Sequence, residues 1–209
     1  MNTYIESTNI NVGATMRDIE ALCDDAKQNH YAAVCVAPYY VSLASELLKN
    51  SPVEVATIIS YPFGLETTAV KSYEAIDAVQ NGATEIGMML NTAAIKNKDF
   101  DYVQEEIEEI RDSIDGKVMK LMIDTSTITD EELISIIHIC NDTFIHYIEI
   151  IGEVTEDIMH KVQVISEHKN ELLGIKVNTS HIDEEALSKL IDANVSRIGV
   201  MKTSSRKED

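Results

Sequence analysis

Basic residues are scarce in this sequence: 17 lysines and arginines stand against 36 aspartates and glutamates, giving a formal net charge of −19. Nucleic acids and anionic membranes bind basic surfaces, so we expect neither as a partner. The charge also disfavours a phosphorylated ligand, although a local set of hydrogen-bond donors can override the field of the whole protein. We interpret the acidic surface chiefly as a solvated one that aids solubility.

Long apolar runs and paired cysteines are missing as well. No apolar stretch approaches the roughly 18 residues that a membrane-spanning helix needs. The opening residues, Met-Asn-Thr-Tyr-Ile-Glu, lack the basic start and apolar core of a secretory signal. The three cysteines, Cys23, Cys35 and Cys140, are odd in number and show no paired spacing, which fits a reducing compartment. We therefore expect a cytoplasmic protein.

The sequence also lacks the spacings typical of metal and cofactor sites. His138 and Cys140 are two apart on a predicted helix and cannot face the same way, and no other residues have the spacing of zinc ligands. The glycines at 64, 82 and 199 form neither a dinucleotide-binding fingerprint nor a P-loop. We expect no metal and no cofactor.

What the sequence does contain is an alternation of short β-rich runs with longer segments of helical period. Several runs are apolar nearly throughout, which is typical of parallel strands covered on both faces. The eight runs are Tyr4–Thr8, Ala32–Ala37, Val53–Ser60, Thr84–Leu90, Val118–Asp124, Phe144–Ile151, Leu173–Val177 and Arg197–Met201.

Helix signals lie between these runs. Apolar residues recur every three or four positions over Asp99–Ile114, Thr129 and Glu132 form a capping box, and Asp183 is an N-cap candidate. Eight such repeats predict a (β/α)8 TIM barrel formed as one domain by residues 1–209, with a doubly wound sheet as the alternative. The chain ends soon after the eighth run, without room for a full final helix. A strip of apolar outer surface would then be uncovered, so we predict self-association.

Several segments, in order along nearly the whole chain, resemble the deoxyribose-phosphate aldolases of the DeoC family. Each segment is a weak signal by itself, but the ordered set is specific. The segments are Ala32–Pro38, Tyr61–Gly64, Thr67–Ala75, Asn81–Ile86, Met119–Thr125, Thr129–Leu133, Gly174–Lys176 and Ser196–Gly199.

The resemblance implies a class I aldolase that uses three inward polar groups. One lysine forms an imine with the substrate, a second lysine lowers the pKa of the first, and an aspartate takes part in proton relay. Here the second lysine is retained as Lys176. Glu149 stands at the position of the imine lysine, and Gly87 at that of the aspartate. A carboxylate cannot form an imine, so the sequence departs from the family pattern at the nucleophile itself.

The resemblance also implies a phosphate site made by glycine- and serine-rich loops after strands six, seven and eight. The first of these loops, Ile150–Val154, adds a carboxylate here. Val177–His181 replaces a double glycine, and Gly199–Lys202 replaces glycine followed by paired serines. In the first strand, Ile5–Thr8 lacks the family's aspartate and histidine but retains Thr8.

Alternation along the strands predicts which side chains share the barrel interior. Glu149 and Lys176 should face each other across neighbouring strands, flanked by Lys120 and Asp124, so that two lysines face two acids. These are our candidate catalytic residues. The plainer reading of Glu149 and Lys176 is a charge-compensated buried ion pair, since a nearby carboxylate favours the ammonium form of a lysine. We expect the ligand pocket to involve four further residues, Thr8, Cys35, Asn178 and Gly199.

Three functions are compatible with this pattern. The one we favour is a catalytically silent DeoC-like barrel with a binding, regulatory or assembly role. It would bind a small carbonyl or sugar-like ligand and form a homo-oligomer or an oligomer with another barrel protein. One alternative is altered carbonyl or aldol chemistry built on Lys176. The other is residual cleavage of deoxyribose 5-phosphate to glyceraldehyde 3-phosphate and acetaldehyde.

Overall fold

The structure, a computed structural model, describes residues 2–202, and its centre is a closed barrel of eight parallel strands in sequence order. All eight predicted strands are present, and β8 pairs with β1 to close the barrel. The predicted TIM barrel is therefore confirmed, and the doubly wound alternative is wrong. The strands are Ile5–Asn9 (β1), Ala33–Val36 (β2), Glu54–Ile59 (β3), Glu85–Met89 (β4), Val118–Ile123 (β5), Tyr147–Ile151 (β6), Gly174–Thr179 (β7) and Arg197–Met201 (β8).

Helices follow each of the first seven strands and form the outer layer. They are Met16–Asn29 (α1), Val41–Leu48 (α2), Thr68–Gln80 (α3), Thr92–Lys96 (α4), Phe100–Ser113 (α5), Asp130–Asp142 (α6), Glu156–His168 (α7) and Glu184–Asp192 (α8). Short 3-10 turns occupy Asn2–Tyr4, Pro38–Tyr40 and Thr125–Thr127. The predicted lack of a full final helix concerns residues 203–209, which lie outside the described residues. The self-association inferred from it stays a prediction.

The predicted helix starts are confirmed by their hydrogen bonds. Asp99 caps α5 by accepting from Tyr102 N, and Asp183 caps α8 by accepting from Ala186 N at 2.8 Å. Thr129 and Glu132 form the full capping box of α6, with Thr129 N donating to the Glu132 carboxylate at 2.9 Å. Each cap satisfies backbone donors that the first turn of a helix leaves unpaired. Among residues 2–202, no helix is both long and apolar enough to cross a membrane.

The strands separate an outer apolar core from a barrel interior of different character. Ile148 and Ile150 of β6 belong to the large core between barrel and helices, whereas Ile151 packs on a small inner cluster, as the alternation predicts. That inner cluster consists of Cys35, Ala56, Ile58, Met89 and Met122. It fills only part of the interior, and the remaining inward positions carry charged and polar side chains.

One buried ion pair also joins the outer helices. Lys71 of α3 donates to the Glu106 carboxylate of α5 at 2.9 Å, and both side chains have no exposed surface. The same ammonium donates to the Met89 carbonyl at the end of β4 at 3.2 Å, and the Tyr102 hydroxyl donates to Glu106. Because both charged side chains are buried, the two charges depend on each other.

We predict that Lys71→Met costs about 3–5 kcal/mol of unfolding free energy, because it leaves the Glu106 carboxylate buried without its cation. The double variant Lys71→Met/Glu106→Leu should regain most of this loss, since it removes both charges together. Urea unfolding of the two variants and the wild type measures the difference. Equal losses in the single and the double variant would contradict the prediction.

Candidate active site

Within residues 2–202, six charged side chains fill the barrel interior. Three are carboxylates and three are cations, so their formal charges balance. Each is at most 9% exposed. They come from six strands and comprise Glu6 of β1, Glu85 of β4, Lys120 of β5, Glu149 of β6, Lys176 of β7 and Arg197 of β8.

Glu6 is the centre of this network because it contacts all three cations. Lys120 donates to Glu6 at 2.8 Å, Arg197 donates to it at 3.3 Å, and Lys176 is its third hydrogen-bond donor. Glu85 lies beside Glu6 and accepts from Lys120 at 2.7 Å and from Arg197 at 3.2 Å. The guanidinium of Arg197 also lies 5.3 Å from the centre of the Tyr147 ring, within the range of a cation–π contact.

Lys176 lies between two carboxylates at the upper side of the network. It donates to Glu6, and its ammonium nitrogen is 3.2 Å from Glu149 Oε2. The other oxygen of Glu149 accepts a hydrogen bond from the Asn178 amide. Glu149 and Lys176 are directly paired in the strand register, as predicted, and Lys176 is paired in turn with Arg197.

The charges shift the protonation equilibria of the central residues. Burial opposes ionisation of Glu6, but attraction by Lys120, Lys176 and Arg197 outweighs it and lowers the pKa of Glu6 well below 4.5. Burial opposes the charge of Lys120, but Glu6 and Glu85 outweigh that effect and raise the pKa of Lys120 above 10.5. The pKa of Arg197 is raised for the same reason by Glu85 and Glu6. These groups are therefore charged at neutral pH.

Asp124 does not join this network, contrary to the prediction that it flanks Glu149 and Lys176. Strand β5 ends at Ile123, so the alternation that turns Lys120 and Met122 inward stops before Asp124. The Asp124 side chain is exposed and accepts from Ser126 N at 3.0 Å and from the Ser126 hydroxyl at 2.6 Å. It therefore caps the 3-10 turn after β5.

Three members of the network were not among our predicted site residues. Glu6, Glu85 and Arg197 each lie two positions before a residue that the sequence did single out, namely Thr8, Gly87 and Gly199. Residues two positions apart on a strand face the same side, so the alternation predicts that these three side chains also point into the barrel. The signal was therefore present, but their mutual pairing requires the closed barrel.

A cavity of about 170 Å³ opens above the network, at the carboxyl ends of the strands. Glu149, Lys176, Asn178, Thr8 and Cys35 all line it, so the structure brings five of the predicted site residues together. Lys120 and Gly199 are not among its lining residues. The remaining walls are largely apolar and include Ile10, Ile58, Met122, Ile151 and Met201.

The polar and reactive groups around this cavity differ in whether they can react or form a hydrogen bond with a ligand. Burial raises the pKa of the Cys35 thiol to about 12, so Cys35 is a neutral apolar filler at physiological pH. The Thr8 hydroxyl and the Asn178 side-chain carbonyl are buried without a hydrogen-bond partner among residues 2–202. Within the same range, no three His, Cys, Asp or Glu side chains come together as a metal-binding group.

Gly199 leaves room for the Asn178 side chain on the neighbouring strand. A Cβ at this position would lie 1.7 Å from Asn178 Oδ1 and 3.2 Å from Lys176 Cε. Because residue 199 has no side chain, the Asn178 side chain fits beside β8 and donates a hydrogen bond to Glu149. We predicted Gly199 as a ligand contact, and the structure instead places it behind the residues that face the cavity.

Comparison with known proteins gives one consistent family. Residues 3–134 match the model of the DeoC/LacD family aldolases. The chain is 35% identical over 210 residues to the deoxyribose-phosphate aldolase of Natranaerobius thermophilus, covering 97% of this chain and 94% of the relative. It is 33% identical over 204 residues to that of Thermoanaerobacter pseudethanolicus, covering 93% and 90%.

Solved structures agree with this assignment. The aldolase QR15 superposes with a TM-score of 0.87 at 28% identity, covering 95% of this chain and 90% of its own. A tetrameric deoxyribose phosphate aldolase from Aeropyrum pernix superposes with a TM-score of 0.83 at 19% identity, covering 95% and 86%. The second likeness concerns the fold alone.

We predict that Gly199→Ala costs about 1–3 kcal/mol, because the new methyl group must displace Asn178 from Glu149. The loss should shrink in an Asn178→Ala background, where the obstructing side chain is gone. Gly13→Ala is the matched control, since no atom lies within 4 Å of its added Cβ. Thermal or urea unfolding measures all four variants, and an unchanged loss in the Asn178→Ala background would contradict the steric explanation.

The lowered pKa of Glu6 predicts a specific dependence on pH. The ionised Glu6 carboxylate stabilises the fold fully at pH values above 4.5, which is the ordinary pKa of a glutamate. The stabilisation disappears as the pH falls towards the lower pKa of Glu6 in the folded state. Glu6→Gln should cost about 3–5 kcal/mol at pH 7, because it leaves buried cations underpaired. The difference from the wild type should then diminish below pH 4.5. Urea unfolding from pH 7 to pH 3 tests this, and a constant difference would contradict it.

Proposed function

This chain belongs to the DeoC/LacD aldolase family, and from that premise we propose that its barrel binds a small ligand without forming an imine and does not cleave deoxyribose 5-phosphate. The observation that carries the proposal is the placement of Lys176 between the carboxylates of Glu6 and Glu149. Family membership fixes the architecture of the pocket, whereas the chemistry depends on the groups inside it.

Imine formation requires a neutral amine that can reach a carbonyl carbon. The Lys176 nitrogen is held instead by ion pairs with the carboxylates of Glu6 and Glu149. Lys176 is also 1% exposed, and Glu6, at the centre of the network, holds its head group. A substrate carbonyl would have to displace a buried ion pair to reach it, and this leaves charges without partners.

Lys120 is an even less suitable nucleophile. Its ammonium is held by Glu6 and Glu85 at 2.8 and 2.7 Å, and its side chain is 1% exposed. It lies below the cavity and does not line it. The acids that hold it favour the charged form, so the same network that buries Lys120 removes it from carbonyl chemistry.

The position of the family's proton-relay aspartate is also filled differently. Gly87 lies beside Lys120 in the strand register, and a Cβ added to it would meet Met122 Sδ at 3.2 Å and both Ile58 Cγ2 and the Thr57 carbonyl oxygen at 3.5 Å. The two side chains are apolar and belong to the inner cluster. This arrangement supports a pocket that has lost the aldolase machinery as a set.

A small ligand is supported by the cavity itself. Its volume of about 170 Å³ suits a compound of a few heavy atoms, such as a small carbonyl or sugar-like molecule. Its walls combine apolar side chains with the polar groups of Thr8, Asn178 and Lys176. The unpartnered Thr8 hydroxyl and Asn178 carbonyl gain from a ligand that supplies hydrogen bonds, after small side-chain adjustments.

One observation favours a second candidate, altered carbonyl chemistry at Lys176. Lys176 lines the cavity and Glu149, its neighbour, is suitably placed to act as its acid or base. In this case the Lys176 ammonium would transfer a proton to Glu149, and the resulting neutral amine would add to the carbonyl carbon of the ligand. Only the second candidate function forms a covalent bond between Lys176 and the ligand, so one experiment that detects this bond distinguishes the two.

The test is reduction with sodium borohydride in the presence of acetaldehyde or deoxyribose 5-phosphate, with detection by intact mass. We expect no covalent adduct in the folded wild-type protein, because the lysine that forms the imine in the family is Glu149 here. An adduct in the wild type that disappears in Lys176→Ala would overturn the proposal and make Lys176 a nucleophile.

A gain-of-function variant provides the positive control. Glu149→Lys/Gly87→Asp restores the lysine and the aspartate that the family resemblance implies, next to the retained Lys176. It should form an adduct with acetaldehyde under conditions in which the wild type forms none. Circular dichroism must show that both proteins are folded, so that a negative result in the wild type reports on chemistry.

A further inference from the structure

The loops at the rim of the cavity contain a group of hydrogen-bond donors that is already occupied by a carboxylate of the same chain. Glu153, in the loop between β6 and α7, accepts from Ser180 N at 3.2 Å and from the Ser180 hydroxyl. The Thr179 hydroxyl is 2.8 Å from the other oxygen of the same carboxylate and 2.9 Å from the His181 carbonyl oxygen, so its one proton is shared between two acceptors. Glu153, Thr179 and Ser180 all line the cavity.

The backbone holds this carboxylate in place from both sides. Gly152 N donates to the Asn178 carbonyl at 2.9 Å, which ties the loop to the end of β7. Two residues after Glu153, Thr155 N donates to the Glu153 carbonyl at 2.7 Å, and the Thr155 side chain caps α7. Glu153, an exposed residue, therefore bridges the loop after β6 and the end of β7.

The hydrogen bonds around Glu153 stabilise its negatively charged form, as the donors of an anion-binding site do. Hydrogen bonds from Ser180 and Thr179 lower the pKa of Glu153, and the backbone amide of Ser180 and the charge of His181 add to the effect. A backbone N–H combined with neighbouring hydroxyl groups is a common way to bind phosphate or carboxylate. Here the chain supplies that anion itself.

We propose that Glu153 is a built-in anion that occupies the oxyanion-binding donors of the cavity and thereby excludes ligands that carry a phosphate or carboxylate group. The selected ligands are then uncharged or cationic small molecules. This inference rests on the ligand-binding role proposed above, and it names the residue that determines the ligand class. A phosphate brought to these donors would have to displace Glu153 and would meet its negative charge.

The proposal is tested by titrating the protein with inorganic phosphate at pH 7 while following the Ser180 amide by nitrogen-15 NMR. Glu153→Ala removes the carboxylate and frees the amide and hydroxyl of Ser180, so it should bind phosphate at least about tenfold more tightly than the wild type. Glu153→Gln keeps the shape and removes the charge, and it should give a smaller gain.

Glu156→Gln is the matched control, because it removes one negative charge from an exposed residue three positions away without touching Thr179 or Ser180. It should bind phosphate as weakly as the wild type. Adding Ser180→Ala to Glu153→Ala should reverse part of the gain by deleting one donor. The proposal is overturned if Glu153→Ala and Glu153→Gln bind no more tightly than Glu156→Gln, or if the wild type already binds as tightly as Glu153→Ala.

Failure here is distinguishable from failure of the proposed function. The borohydride test with acetaldehyde involves no anionic group and measures only covalent attachment at an amine. A wild-type adduct would overturn the absence of imine chemistry without affecting the phosphate titration. Phosphate binding by the wild type would overturn the role of Glu153 without creating an imine.

Discussion

Charge balance inside the barrel is the constraint on which the rest of this structure depends. Six buried charged groups from six strands would each be costly alone, and they are tolerated because every carboxylate faces a cation. Glu6 has the central position, since it contacts Lys120, Lys176 and Arg197 at once. Removing it would affect β5, β7 and β8 together, and this makes the interior a single electrostatic unit.

Because the interior is a single electrostatic unit, the identity of residue 149 affects the charge balance of the whole interior as well as the catalytic chemistry. A lysine there would convert three carboxylates and three cations into two carboxylates and four cations, and Glu149 would no longer face Lys176. The aspartate that the family resemblance implies at position 87 would offset part of the excess. The identities at 149 and 87 are therefore linked by charge as well as by chemistry, which is why the gain-of-function variant changes both.

The barrel divides along its axis into a charged lower part and a largely apolar mouth. The lower part orders the strands, while the mouth leaves a small cavity bounded by Ile58, Met122 and Ile151. At the rim, Glu153 bridges β6 and β7 through donors that would otherwise suit an anion. The cavity is thus small, partly apolar and negatively charged at its edge, which is consistent with a neutral or cationic ligand.

The sequence by itself determined the elements and their order, because the signals for them are local. Strand runs, caps such as Thr129 and Asp183, and the inward direction of Glu149 and Lys176 follow from hydrogen bonds and alternation within a few residues. The family resemblance extended this to the whole barrel. Asp124 shows where local reasoning stops: the alternation predicts an inward side chain only while the strand continues, and β5 ends one residue earlier.

Only the tertiary structure decided which charges meet. Glu6 and Arg197 are 191 positions apart, and they touch because β1 pairs with β8 when the barrel closes. Glu85 acquires both of its cations in the same way, and Glu153 meets Ser180 only when the ends of β6 and β7 lie side by side. Alternation gives the direction of a side chain but not its partner across the barrel, because that partner depends on closure and on the length of each side chain.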